Sequence, residues 1–211
     1  MEMDNKIKAL LRASRWLWRS YKMTDSYLHR SGFFKSLELG QPARTTGEPA
    51  PWMNYSFVKF ITPRIKGLRV LEYGSGYSTA YWATHASSVS AIEHDKEWSD
   101  KAAKQVESYQ NATVAYIGEK KKYVHAVNDK ADVVIVDGIH RSECLECAAQ
   151  VIQDESVIVV DDSHRPSIDA AIQRVINEYG YKKIGISGFK PRDTGMFETA
   201  VLYKPKNVLG I

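Results

Sequence analysis

Four apolar runs in this 211-residue sequence end in acidic residues. The stretch Val70-Leu-Glu-Tyr-Gly-Ser-Gly-Tyr-Ser78 carries Glu72 and then Gly74 and Gly76, and a Gly-x-Gly turn lets backbone approach a ligand closely. Glu93 closes the next run, SAIEHDKEW, twenty-one residues after Glu72. An acid at that distance suits the paired hydroxyls of a ribose. Two later runs end VIVDGIHR and VIVVDDSHR, contributing Asp137, His140, Asp161, Asp162 and His164. Carboxylates of this kind hold hard cations, and an imidazole with a reference pKa of about 6.5 moves protons at neutral pH.

For these residues to meet, the runs must lie side by side. Strand-like stretches at 68–72, 89–93, 113–117, 131–137, 156–161, 181–187 and 196–203 alternate with helical stripes. One stripe holds Trp98, Ala102, Val106 and Tyr109, another Leu145, Ala148, Ala149 and Ile152. A third runs Ile168, Ala171, Ile172, Val175, Ile176 and Tyr179 and is closed by Gly180 as a C-cap. Such alternation predicts an α/β fold with a mostly parallel sheet and helices on both faces. The last two strands are too close for a helical crossover, so they should form an antiparallel hairpin. In an open parallel sheet ligands bind beyond the carboxyl ends of the strands, where the acids fall.

Upstream, Ile7, Leu10, Leu11, Leu17, Trp18 and Tyr21 recur at helical spacing, with Lys8, Arg12, Arg15, Arg19 and Lys22 mostly elsewhere on the wheel. This basic amphipathic helix packs its stripe on the domain, on a second copy as a homodimer, or on a membrane surface or nucleic acid. The sequence GQPARTTGEPAP breaks regular structure, so residues 1–50 are expected to be an arm with its linker and 51–211 the main domain. Residues 1–46 carry nine Lys/Arg against four Asp/Glu, leaving the rest at −1 within a total of +4. A near-neutral body argues against a nucleic-acid groove.

The string LEYGSGYSTAYWA, the strand end AIEHDKEW, and then ADVVIVDG and SVIVVDDS together resemble the class I S-adenosylmethionine-dependent methyltransferases. More narrowly they are similar to a branch with an EYGSG-ST loop, an EHD-x-x-W strand end and a preceding segment like PWMNYSF, a likeness covering residues 31–205. The resemblance implies a Rossmann-like seven-stranded sheet and S-adenosylmethionine as cofactor. It assigns Glu72, Gly74, Ser75 and Gly76, with Tyr77 and Ser78 of the same loop, to the amino acid portion; Glu93 and His94 to the ribose; and Gly118 and Glu119 to the adenine, with Asp137 at the cofactor's edge. Ser78 stands where such motifs often have a third glycine, and the missing Gly-x-Gly-x-x-Gly weakens a nicotinamide reading.

Methyl transfer to a hydroxyl must align donor and acceptor and often remove a proton. His140, three residues after Asp137, is the leading base. It falls where metal-dependent catechol-type O-methyltransferases carry a basic residue, but those have Asp-Asn where this chain has Asp161-Asp162. Asp137, Asp161 and Asp162 are candidate ligands for Mg²⁺; otherwise they accept backbone and cofactor hydrogen bonds, with Asp162 pairing to Arg165. Trp52 and Tyr55 precede the first strand as a lid or as a hydrophobic staple. Lys190 and Arg192, in the last hairpin loop, are better read as a solvated tip than as a greeting for an anionic acceptor.

The expected acceptor is a small-molecule or glycan hydroxyl. The alternatives are a nucleic-acid methyltransferase, which lacks an Asn/Asp-Pro-Pro-Tyr motif here, and a module that binds the cofactor without turnover. No apolar run reaches the roughly 20 residues of a bilayer span. Cys144 and Cys147 form neither a disulfide framework nor a four-ligand zinc site, so a cytoplasmic setting is expected.

Overall fold

The computed structural model describes residues 2–211, with side chains from Asn5 onward. Helix α1 (Glu2–Lys22) is followed by the short helices α2 (Tyr27–Arg30) and α3 (Phe33–Leu39). An isolated bridge between Ala43 and Pro49 closes the linker into a turn. The body then runs α4 (Tyr55–Ile61), β1 (Arg69–Tyr73), α5 (Tyr77–Ala83), β2 (Ser88–Glu93), α6 (Lys96–Val106), β3 (Ala112–Tyr116), α7 (Lys120–Val124), β4 (Val133–Val136), α8 (Arg141–Val151), β5 (Val157–Val160), α9 (Pro166–Tyr179), β6 (Lys182–Gly188) and β7 (Phe197–Tyr203).

The seven strands are ordered β3-β2-β1-β4-β5-β7-β6. The first five are parallel, β7 runs antiparallel to β5, and β6 pairs antiparallel to β7. This is the Rossmann-like sheet with a C-terminal hairpin that the alternation predicts. The period-2 pleat splits the core into two layers. Leu71, Tyr73, Val134, Val136, Ile158 and Val160 face α7, α8 and α9, whereas Val70, Val133, Ile135, Val157 and Val159 face α4 and α5. Gly180 caps α9 with a left-handed φ of 71°, as its sequence position predicts.

The arm divides at its middle. Leu28 and Phe33 bury themselves against Tyr55 of α4, so α2 and α3 belong to the body's packing. From Asn5 to Arg19, by contrast, α1 is exposed throughout. Tyr55 is therefore a staple rather than a lid, its N–H donating to Phe189 O. Asn54 caps α4 by accepting from Phe57 N and ties the helix to β6 and β7 by donating to Ile186 O and Thr199 Oγ1. No helix among the described residues is long and apolar enough to cross a membrane.

Candidate active site

Strand order reverses direction between β1 and β4, and a crevice opens where the loops after these strands part. A cleft of about 540 Å³ lies there, walled by Gly74, Ser75 and Ser78 of the first loop, by Glu93, His94, Asp95, Trp98 and Lys101 after β2, and by Asp137, Gly138 and Ile139 after β4. That size falls within the range of small-molecule sites.

Backbone geometry explains the glycines. Gly74 has φ +88°, and a Cβ there would stand 2.9 Å from the Gly138 backbone, so the β1 and β4 loops meet where neither tolerates a side chain. Gly76 N–H donates to Thr79 Oγ1, which donates in turn to Glu72. Glu72 lies fully buried beneath this loop, taking hydrogen bonds from Thr79 Oγ1 (2.6 Å) and Trp82 Nε1 (3.0 Å). Burial pushes its carboxyl up to about 7, even though these donors, and Ser78, favour the ionised form. Expected to touch a ligand, Glu72 instead braces the loop from below and lines no part of the cleft.

Glu93 does reach the cleft. Its Oε2 accepts from Ser75 N (2.8 Å) and Ser75 Oγ (3.3 Å), and its Oε1 from His94 N (2.8 Å) and Asp95 N (3.0 Å). A carboxylate offers about four acceptor positions, and the long Ser75 hydroxyl contact is the weakest occupant. That is the bond a diol can replace. The His94 ring nitrogen Nδ1 lies 2.8 Å from Glu93 Oε1 without making a hydrogen bond of good angle.

Three expected contacts lie elsewhere. Tyr77 donates to Gln41 Oε1 at 3.0 Å and meets the Trp98 ring edge-on behind the wall, while Gly118 and Glu119 fall outside the cleft wall. Glu119 instead pairs with Lys122 at the surface and precedes the first turn of α7. In their place stands Trp98, which the periodicity assigns to a buried stripe. It is part-exposed, its indole N–H donates to Ser75 O, and its ring lies over Gly76, where a Cβ would come within 3.3 Å. The spacing EHD-x-x-W carries the signal: Asp95 caps α6 by accepting from Trp98 N, which sets the indole one turn in, back over the loop.

On the opposite wall, Arg141 ties the ends of β4 and β5 together. Its guanidinium donates to the carbonyls of Asp137, Gly138 and Asp161 and pairs with Asp137 Oδ1 at 2.9 Å. Asp137 shows about a fifth of its side chain to the cleft but is otherwise enclosed by protein. Burial, followed by the neighbouring Asp161, raises its carboxyl well above the ordinary range, against the pull of Arg141 and Lys190. His140 begins α8 in a left-handed conformation with φ 53°, and Asp162 after β5 has φ 55°. Such non-glycine strain tends to collect at functional edges.

Lys190 corrects the reading of a solvated hairpin tip. Only 6% exposed, its ammonium sits 2.6 Å from both Asp161 Oδ2 and Asp162 Oδ1. The other oxygens are also engaged: Asp161 Oδ1 accepts from Thr199 Oγ1 (2.7 Å), and Asp162 Oδ2 meets Arg165 and Arg141. Burial opposes the Lys190 charge, yet the two aspartates outweigh it and hold its pKa above the ordinary value. The expected Mg²⁺ site at Asp137, Asp161 and Asp162 therefore does not fit this donor set, because protein cations neutralise it. Among the described residues no group of three or more His, Cys, Asp and Glu is placed to hold a metal.

Farther out, Arg192 donates to Gly40 O and lies over the Trp52 ring at 5.8 Å, joining hairpin to linker. His164 turns toward β7, its Nδ1 accepting from Glu198 N at 3.4 Å. Cys144 and Cys147 are buried free thiols of α8, and burial pushes Cys144 up to about 12.

No family model and no curated protein sequence matches this chain. Solved structures do. An O-methyltransferase from Bacillus cereus in complex with SAH aligns over 88% of this chain and 96% of its own, with a TM-score of 0.62 at 18% identity. The precorrin-6y C5,15-methyltransferase of Geobacter metallireducens aligns over 71% of this chain and 88% of its own, with a TM-score of 0.57 at 13% identity. The O-methyltransferase TomG of Streptomyces achromogenes, in complex with SAM, aligns over 82% of this chain and 90% of its own, with a TM-score of 0.53 at 16% identity. With its strand order and terminal hairpin, the chain has the fold of the class I S-adenosylmethionine-dependent methyltransferases.

Proposed function

We propose that the chain binds S-adenosylmethionine and transfers its methyl group to a hydroxyl of a small-molecule or glycan acceptor. The observation that carries this reading is the cleft at the β1/β4 switch point, where a glycine loop and Glu93 face Asp137 and Ile139. The Gly74–Gly76 backbone holds the amino acid portion and Glu93 the ribose hydroxyls. Trp98 and Ile139 offer apolar faces for the rest of the cofactor. Bound there, the cofactor supplies an electrophilic methyl on a sulfonium centre.

The acceptor then approaches the edge formed by Asp137 and His140. His140 removes the hydroxyl proton as the oxygen attacks. Asp137, more basic than an ordinary carboxylate, accepts a hydrogen bond from a second polar group of the acceptor and so orients it. Because Lys190 neutralises Asp161 and Asp162, the transfer proceeds without a metal drawn to these carboxylates.

Calorimetry with S-adenosylmethionine and S-adenosylhomocysteine tests the premise, and no binding at millimolar ligand would refute it. Glu93→Ala should weaken binding. His140→Ala should leave binding intact and slow transfer to a hydroxyl acceptor; an unchanged rate would remove His140 as the base. Binding with no turnover across a broad hydroxyl panel would favour a module that holds the cofactor without using it.

A further inference from the structure

Helix α1 is exposed from Asn5 to Arg19 and packs on the rest of the protein at its last turn. There Ser20 is buried, its carbonyl accepting from Ser26 Oγ, and the Tyr21 ring meets Phe34 edge-on at 5.3 Å. At 3.6 residues per turn, Leu17, Leu10, Tyr21, Ile7, Trp18 and Leu11 fall in that order around an arc roughly 120° wide. Each is between 46% and 70% exposed. Beside this stripe, Lys22, Arg15, Lys8, Arg19 and Arg12 form a second arc, and no acidic residue occurs between Asn5 and Lys22.

The two arcs together select the partner. A second copy pairing stripe to stripe would bring two basic arcs alongside one another, with Glu2 and Asp4 the only acids of α1 to answer the five cations of each. A nucleic acid would engage the basic arc and leave the leucines and Trp18 in water. A negatively charged bilayer surface satisfies both at once, because apolar side chains enter the headgroup–acyl boundary while the neighbouring cations meet lipid phosphates. Trp18 and Tyr21 have the amphipathic rings that settle at that depth.

We propose that α1 docks the protein on an anionic lipid surface, lying in the plane of the interface with Leu10, Leu11, Leu17 and Trp18 inserted. This docking is independent of the methyl-transfer reading and is measured without turnover. Ordering also follows from it, since a helix exposed from Asn5 to Arg19 draws little support from tertiary packing in water and gains it at the interface.

The full-length protein is mixed with unilamellar vesicles of phosphatidylcholine alone or with roughly one-third phosphatidylglycerol. It should co-sediment with the anionic vesicles only, with a blue shift of tryptophan emission and release as salt rises. The triple variant R12Q/R15Q/R19Q should bind about a hundredfold more weakly, each neutralised cation removing about fivefold. Leu11→Glu with Trp18→Glu should lose at least about tenfold through the apolar term alone. Both variants should keep the parent's thermal unfolding, because these positions bury nothing in the body. Equal affinity for neutral vesicles, or no vesicle binding, overturns the proposal. So does a lipid-free dimer dissolved by Trp18→Glu, or oligonucleotide binding that needs the arginines and ignores Trp18.

Discussion

Glu72 offers a stability measurement that separates bracing from ligand binding. Its carboxyl is fully buried against Thr79 and Trp82 and raised from 4.5 to about 7. A group that holds its proton more tightly folded than unfolded favours the fold at low pH, and that contribution is lost as pH climbs through the folded value. Between about pH 4.5 and just above 7 the native state should therefore lose roughly 3 kcal/mol through this group alone. For a domain of this length the loss corresponds to about 6–12 °C in Tm. Glu72→Gln keeps the volume and hydrogen-bonding ends while deleting the titration. It should be less stable than the parent by about 1 kcal/mol at pH 5, where one hydrogen bond is traded for a poorer one, and more stable at pH 8. Urea unfolding followed by tryptophan emission reports the difference directly, since Trp82 lies on the carboxyl. Asp137 is raised in the same direction and titrates in both proteins; Glu72 is the smallest of the causes of its shift, so most of its effect cancels in the comparison. Parallel stability curves for parent and variant from pH 5 to 8 would refute the assignment.

Lys190→Met should destabilise the fold by about 3–5 kcal/mol, because it leaves Asp161 and Asp162 buried beside one fewer cation; denaturant unfolding measures this, and Lys190→Arg should recover part of the loss. Titration of Mg²⁺ into the parent should give no saturable heat, whereas a stoichiometric site would show that the aspartates open to metal. Trp98→Ala should weaken S-adenosylhomocysteine binding about tenfold by calorimetry while leaving cooperative unfolding nearly unchanged, since the indole covers the loop but is itself part-exposed. Cys144 in the native protein should resist alkylation at pH 8, a consequence of its buried, raised thiol.

What the sequence discloses about this fold is what periodicity controls. The pleat and the helical stripes impose different spacings on apolar residues, so each of the seven strands falls within a residue or two of its expected place, and the short final connection dictates the hairpin. Glu93 and Asp137 are legible for a related reason: the last residue of a central parallel strand has only the crevice ahead of it. Glu72 satisfies the same rule by sequence yet points away. The residue after it, Tyr73, belongs to the opposite layer, and the pleat therefore sends Glu72 down toward α5, where Trp82 and Thr79 supply donors. A one-residue difference in where a strand stops decides between ligand and brace, and boundaries are what sequence patterns place least well.

Lys190 was hidden for a different reason, because its partners lie 28 and 29 residues away across the sheet and come together only through the β6–β7 hairpin. In sequence it belongs to a loop rich in Gly, Pro and charge, the usual mark of a solvated tip. Its burial follows from topology: β7 is inserted between β5 and β6, so the chain leaving β6 returns across the carboxyl end of β5, directly over Asp161 and Asp162. Two adjacent acids under such a crossing need a counter-charge, and the hairpin carries one with it. The same crossing decides how an acceptor would be activated. With the ammonium fixed between the aspartates, Asp137 is the carboxylate of this wall left facing the cleft, and under the proposed reading the contrast between Lys190→Met and His140→Ala separates a charge that holds the site together from a base that works in it.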